Sequence, residues 1–218
     1  MDSSTICYRD SSTIDRVTCT ALNPAQATAA AEAFVASHGD YPAFRSVFPD
    51  PVRRRRALLP FFTPTVGDAV RFGTVYAALD GTTVMGAAVW LPPGAFPWSM
   101  PRQAAAAPAF ARVLAAYPSR FPTFMRYGMA AQRAHPPGEH WYLVALGVRP
   151  EAQRAGIGRR LLMPVLDRAD DDRVACYLET SDRNNVGFYE RLGFTIVDDD
   201  LKLVKGGPSH VSMRREPR

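Results

Sequence analysis

The chain has 218 residues, of which 47% are hydrophobic and 22% charged, with a formal net charge of +5. That length supports one domain with a substantial core, and the composition excludes a largely disordered chain. Apolar runs such as Trp141–Val148 are far too short to span a bilayer. The first residues, Met1-Asp2-Ser3-Ser4, carry neither the basic start nor the apolar stretch of a signal peptide, so a cytoplasmic location is expected. Only Lys202 and Lys205 are lysines. The positive charge is thus almost all arginine, with no basic stripe interleaved with aromatics, and neither a nucleic-acid nor a membrane partner is expected. Cys7, Cys19 and Cys176 are odd in number and widely spaced, which reads as buried free thiols. His38, His135, His140 and His210 have no ligand spacing either, and no metal is expected.

In chain order, residues 1–14 read as a disordered lead, and residues 15–218 as one α/β domain. A short strand around Arg16–Thr20 precedes Asn23-Pro24, a cap and first-turn pair that starts a helix running to Gly39. Asp40-Tyr41-Pro42 reads as a turn, and a second helix fits Val52–Phe62. The run Arg53–Arg56 reads as its solvated face. Strand patterns at Gly73–Ala78 and Thr83–Leu91 join through Asp80-Gly81 as a hairpin. An Ala-, Phe- and Met-rich insert at about 95–135 carries two helices, Gln103–Ala116 and Phe121–Arg133. Trp141–Val148 has the length and apolarity of a central strand. A helix from Ile157 presents Leu161, Leu162, Val165 and Leu166 on one face, with Pro164 inside it. Val174–Leu178 is a buried strand, Asn184–Leu192 a short helix, Phe194–Val197 a strand, and Leu201–Val204 the return of a last hairpin.

Chemistry concentrates in the last third. A buried strand leading into Gln153-Arg154-Ala155-Gly156-Ile157-Gly158 and then a helix is a phosphate cradle. The glycines let the backbone approach an anion, and the free N–H groups and dipole of the helix start attract it. Arg154, Arg159 and Arg160 add cationic contacts at the rim. No Gly-Lys-Ser/Thr sequence occurs, and Leu161 stands where a dinucleotide fingerprint needs glycine or alanine. What remains is Q-x-x-G-x-G after a strand, joined by Asn185-Val186-Gly187-Phe188-Tyr189-Glu190-Arg191-Leu192-Gly193-Phe194 downstream. These two segments resemble the GNAT N-acetyltransferase superfamily. Within it, Ala33-Phe34, Asp40-Tyr41-Pro42-Ala43, Ala87-Ala88-Val89-Trp90 and the block Trp141–Phe194 are most similar to the puromycin N-acetyltransferase group. Arg154-Ala155 departs from the glycine and lysine more usual there.

The resemblance implies an α/β fold with a twisted mixed sheet whose central strands, near 141–148 and 174–180, splay apart between flanking helices. It implies acetyl-CoA as acetyl donor, its pantetheine running along the backbone near Leu146 and Val148. Gln153, Arg154, Ala155, Gly156, Ile157, Gly158 and Arg159 would surround the pyrophosphate. A neutral amine would attack the thioester directly in a ternary complex, with backbone N–H groups at the splay stabilising the oxyanion. Tyr189 takes the position of the acid that protonates the departing thiolate, or else packs as a core aromatic. Asn185 holds the pantetheine arm, or else caps a helix. Glu179 is the first candidate for the base, or else a structural ion-pair partner. His140 and Asp40 are weaker candidates, with His140 read as a surface residue. Asp40 and Tyr41 line the acceptor site, or merely form a turn. The acceptor is a small-molecule amine, an aminonucleoside antibiotic with a resistance role among the options. The other readings are a protein or peptide acetyltransferase and a non-catalytic acyl-CoA sensor. The chain is expected as a monomer or homodimer.

Overall fold

The computed structural model describes residues 16–218. The expected disordered lead and Cys7 lie outside the described residues. Seven strands among the described residues form one mixed sheet in the order β1-β2-β3-β4-β5-β7-β6. They are β1 (Thr18–Ala21), β2 (Val75–Asp80), β3 (Thr83–Leu91), β4 (Trp141–Val148), β5 (Cys176–Thr180), β6 (Thr195–Lys202) and β7 (Ser209–Arg215). Every neighbouring pair is antiparallel except the central β4 and β5, which run parallel. The twisted mixed sheet expected from the sequence is therefore the one observed.

Helices cover both faces. On one side α6 (Ile157–Asp171) buries Leu161, Leu162, Val165 and Leu166 against Trp90, Trp141, Leu178 and Met213. On the other, α1 (Ala27–His38) and α3 (Pro51–Val70) bury Phe34, Leu58, Phe62 and Val66 against Ala77, Ala87 and Val89. At about 25 cal/mol per Å² of apolar surface removed from water, these two layers dominate the stabilisation. The expected start at Asn23-Pro24 is a 3-10 turn, Pro24–Gln26, in which the Asn23 side chain accepts from the Ala25 N–H, and it leads directly into α1. The short α2 (Pro42–Val47) follows the Tyr41 turn. The insert forms α4 (Met100–Ala116) and α5 (Phe121–Ala134), and α7 (Val186–Glu190) sits between β5 and β6.

Within the fold the structure departs from the sequence expectations at several places. α3 does not stop at Phe62 but passes Pro60 and Pro64 to reach Val70. Burial of Phe62, Val66 and Ala69 outweighs the backbone bonds that the two prolines delete. Arg54 is not part of a solvated face; it is 4% exposed. Its guanidinium donates to the carbonyls of Gly39, Phe48 and Pro49, and pairs with Asp40 at 3.2 Å. A buried charge needs such partners, and here they fix the turn leading to Tyr41. In the hairpin Asp80 pairs with Thr83, so Gly81-Thr82 is the turn, with a bulge at Ala78/Leu79 absorbing the extra residue. The last hairpin returns through Ser209–Arg215, which inserts between β5 and β6 instead of forming an edge. Cys19 is only half-buried, whereas Cys176 is buried, with its thiol pushed up to about 12 by desolvation.

Candidate active site

The site originates in a break at the middle of the sheet. β4 and β5 pair only from Trp141↔Cys176 to Leu143↔Leu178. On its other edge β4 meets β3 with a register shift, Val89 facing Ala145 and Trp90 facing Leu143, so that Val144 is the extra residue. A bulge bends a strand and increases its local twist. This one lies where the parallel ladder ends, and beyond it β4 turns away from β5. The bulge also reverses the alternation. Trp141 and Leu143 pack in the α6 layer, whereas Ala145 packs in the α1 layer and Leu146 and Val148 return to the α6 layer. Gly147 lets α1 cross the strand closely, since a Cβ there would lie 2.3 Å from Ser37 Oγ and 2.8 Å from Phe34 Cδ1. The gap opens a cleft of about 890 Å³ whose walls include β4 from Leu143 to Val148. Among the described residues no strand pairs with this edge of β4 past Leu143, leaving backbone groups available to a ligand lying along it.

One mouth of the cleft is formed by the loop that enters α6. Gln153 donates from Nε2 to the Val148 carbonyl at 2.9 Å. Arg154 and Gly156 both take left-handed backbone angles, φ +64° and +74°. Together they turn the chain so that Gly156, Ile157, Gly158 and Arg159 line the cleft. The first-turn N–H groups of α6 have no side-chain cap. A helix start of this kind, 15 residues long and anchored by Ile157 and Leu161, binds an anion such as a diphosphate. The residues present therefore fit the pyrophosphate end of coenzyme A. Arg154 and Arg159 line the mouth. Arg160 does not; it donates to the Val17 carbonyl at 2.7 Å and ties α6 to the start of β1. A non-glycine residue in left-handed backbone costs about 1–2 kcal/mol. Arg154→Gly removes that strain and one cation together. Its expected result is stability within about 1 kcal/mol of wild type in denaturant unfolding, with coenzyme A affinity in titration calorimetry weakened several-fold.

Deeper in the cleft lie Tyr189 and Glu179. Tyr189 is buried, its ring against Phe188 and Phe194, and its hydroxyl has no hydrogen-bond partner among the described residues. Burial, reinforced by Tyr41, pushes its pKa well above the ordinary phenol value, so the hydroxyl stays protonated. The Glu179 side chain is 12% exposed, and desolvation raises its pKa to about 7. The hydroxyls of Tyr142 and Tyr177 donate to it and keep the value from rising further. No arginine pairs with Glu179 among the described residues; its one ion-pair neighbour is His135, with Nδ1 at 4.0 Å. A carboxylate poised near neutrality and facing a cleft is suited to taking a proton. Asn185 also lines the cleft, its Nδ2 3.5 Å from Thr180 Oγ1. It makes no capping bond; that work falls to Asp182, whose carboxylate accepts from the Asn184 N–H at 3.1 Å.

The far end of the cleft is aromatic, walled by Tyr41, Phe44, Phe61, Phe62, Tyr127 and Tyr142. Tyr41 is tied down, its hydroxyl 2.9 Å from Thr180 Oγ1 and accepting from the Ser181 N–H at 2.8 Å. Asp40 sits at the rim, its side chain 92% exposed and paired with Arg54. His140 is not a surface residue. It is 5% exposed and hydrogen-bonded to His135 at 2.8 Å. Sequence reasoning passed over Tyr142, Tyr127, His210 and His135. Tyr142 carried one signal, as the only polar-tipped residue after Trp141 in an otherwise aliphatic strand. Tyr127 and His210, hydrogen-bonded to each other, come from α5 and β7 and carried none.

The model of the acetyltransferase (GNAT) family matches residues 42–194, well over half of the chain. The chain belongs to the GNAT acetyltransferase family. A crystal structure from Corynebacterium glutamicum, described as histone acetyltransferase HPA2 and related acetyltransferase, superposes on this GNAT chain with a TM-score of 0.68 at 23% identity. The match covers 93% of this chain and 97% of that one. The PaiA N-acetyltransferase of Thermoplasma acidophilum, solved in complex with coenzyme A, gives a TM-score of 0.57 at 12% identity over 92% of this chain and 98% of that one. These likenesses establish the fold. An uncharacterized N-acetyltransferase of Schizosaccharomyces pombe is 39% identical over 54 residues, 25% of this GNAT chain. The alignment spans only 22% of that curated relative's length.

Proposed function

We propose that the chain is an acetyl-CoA-dependent N-acetyltransferase that acetylates the primary amine of a small molecule by direct attack in a ternary complex. The observation that carries this reading is the split between β4 and β5. A strand edge with free backbone groups, an uncapped helix start at one end and an ionisable carboxylate at the other share one cleft. The coenzyme A bound in the Thermoplasma relative supports the choice of ligand.

When bound, acetyl-CoA supplies an activated thioester. The α6 start with Arg154 and Arg159 holds its diphosphate, the β4 edge near Leu146 and Val148 holds the pantetheine amides, and Asn185 reaches the same arm. An ammonium cannot attack, so Glu179 takes the acceptor's proton at its carboxylate. Tyr189 offers its hydroxyl proton where sulfur departs. The aromatic end of the cleft suits an apolar or aromatic amine, since ring faces attract a cation and bury hydrocarbon. An aminonucleoside combines these features, which supports the likeness to the puromycin-acetylating group and a resistance role.

Incubation with acetyl-CoA and a panel of aliphatic, aromatic, aminonucleoside and peptide amines tests the reading, with free thiol and acceptor mass followed together. The expected result is thiol release dependent on a small amine. Coenzyme A binding without any acceptor turnover would instead identify a sensor, and turnover of peptides alone a protein acetyltransferase.

A further inference from the structure

A second cavity of about 280 Å³ lies beside the main cleft, lined by His135, His140, Phe96, Tyr142 and the exposed Pro97 and Gly138. His135 ends α5 and His140 precedes β4. Their Nε2 atoms are 2.8 Å apart, so one ring donates to the other. On its far side His135 turns Nδ1 toward Oε1 of Glu179 at 4.0 Å. That nitrogen is buried and has no hydrogen-bond partner among the described residues, and the side chain is only 7% exposed. The separation is about 1 Å beyond hydrogen-bond range, which a small side-chain rotation closes. The two hydrogen-bonded imidazoles thus stand in line between the carboxylate of the main cleft and a cavity with exposed walls.

We propose that His135 and His140 are a proton relay that clears Glu179 after each turnover, discharging the acceptor's proton into the second cavity. The inference rests on the acetyltransferase reading. An alkylammonium acceptor brings one proton more than the products, amide and thiol, retain. Glu179 takes that proton. It then passes from the Glu179 hydroxyl to His135 Nδ1, while the His135 Nε2 proton moves to His140 Nε2. The cationic His140 sheds one proton to cavity water, the carboxylate is regenerated, and tautomer exchange through cavity water returns the His135 proton to Nε2 before the next turnover. The surroundings favour transit over storage. Burial holds His135 near a pKa of about 4, and burial with the charge of Arg214 lowers His140. Tyr142, Tyr177 and Phe96 complete the ring of groups facing His135, and none adds a charge.

The test compares two acceptors of similar shape, an alkylamine that is cationic at pH 7 and an analogue whose amine is already neutral there. Wild-type protein is expected to acetylate both. His135→Ala is expected to lower kcat for the cationic amine about 10- to 100-fold, at the lower end of acid–base contributions. Turnover of the neutral amine should stay within about twofold, since that acceptor brings no surplus proton to clear. Added imidazole, entering the second cavity, should restore the cationic reaction alone. His140→Asn is a second variant expected to share the pattern more weakly. Equal loss for both amines, loss of neither, or no imidazole rescue in either variant overturns the relay while leaving the acetyltransferase reading intact. Failure of the wild type on every amine overturns both.

Discussion

Glu179→Gln is expected to lower kcat/KM for a cationic amine by about 10²- to 10⁴-fold, the usual contribution of a positioned acid or base. In the wild type the same constant should rise with pH through about 7, because only the ionised carboxylate accepts a proton and burial holds its pKa there. The variant should lose that limb and retain only the amine's own titration. Stability should move the other way. A carboxyl whose folded pKa lies above its unfolded value opposes folding once it ionises. That penalty is absent below about 4.5, grows between 4.5 and about 7, and is full above 7. At 1.36 kcal/mol per unit it comes to about 3 kcal/mol. The glutamine variant should therefore unfold several degrees higher than wild type at pH 8 and match it near pH 4, as thermal denaturation at the two pH values will check. A drop in turnover without a gain in stability would argue against a buried charge at this position.

Tyr189→Phe is expected to lower kcat by about 10²-fold or more with little change in KM for either substrate. The ring contacts with Phe188 and Phe194 survive the change, and the hydroxyl has no protein partner to lose, so stability should be unchanged. Chemistry offers the sharper control. A thiol leaving group of lower pKa needs less help from a proton donor, so the defect should shrink with acyl donors built on more acidic thiols. Steady-state kinetics across such a donor series reads this directly. A defect that is constant across the series would remove Tyr189 from the departure of sulfur.

The loop proposed to hold the pyrophosphate was readable in the sequence because its chemistry is local. Gln153 to Gly158 are contiguous, and the glycines, the helix start and two of the three expected rim cations, Arg154 and Arg159, follow within one turn of chain, whereas Arg160 turns away to the Val17 carbonyl. The same holds for Asn185–Phe194, where a short helix carries Asn185 and Tyr189 on a fixed spacing. Elements with strong periodicity or caps, such as α1 and α6, were readable for the same reason. α3 runs on past the expected end at Phe62 and through Pro64, a local stop signal, because Phe62, Val66 and Ala69 are held in helix by neighbours distant in sequence.

From the residues alone came the family and, as candidates, the donor loop, the phenol and the carboxylate. What they left open was geometric. The bulge at Val144 comes from register against β3, and it lies where the pairing of β4 with β5 ends. Arg54 belongs to a charge run whose other members are exposed; only the Gly39, Phe48 and Pro49 carbonyls distinguish it. Glu179 sits near neutrality because burial raises its pKa while the Tyr142 and Tyr177 hydroxyls, from two strands, hold it down, and His135 approaches it from the end of α5. Hydrogen bonds within a turn of helix are written in neighbouring residues. Desolvation is written in none of them, because it depends on everything that packs around the group.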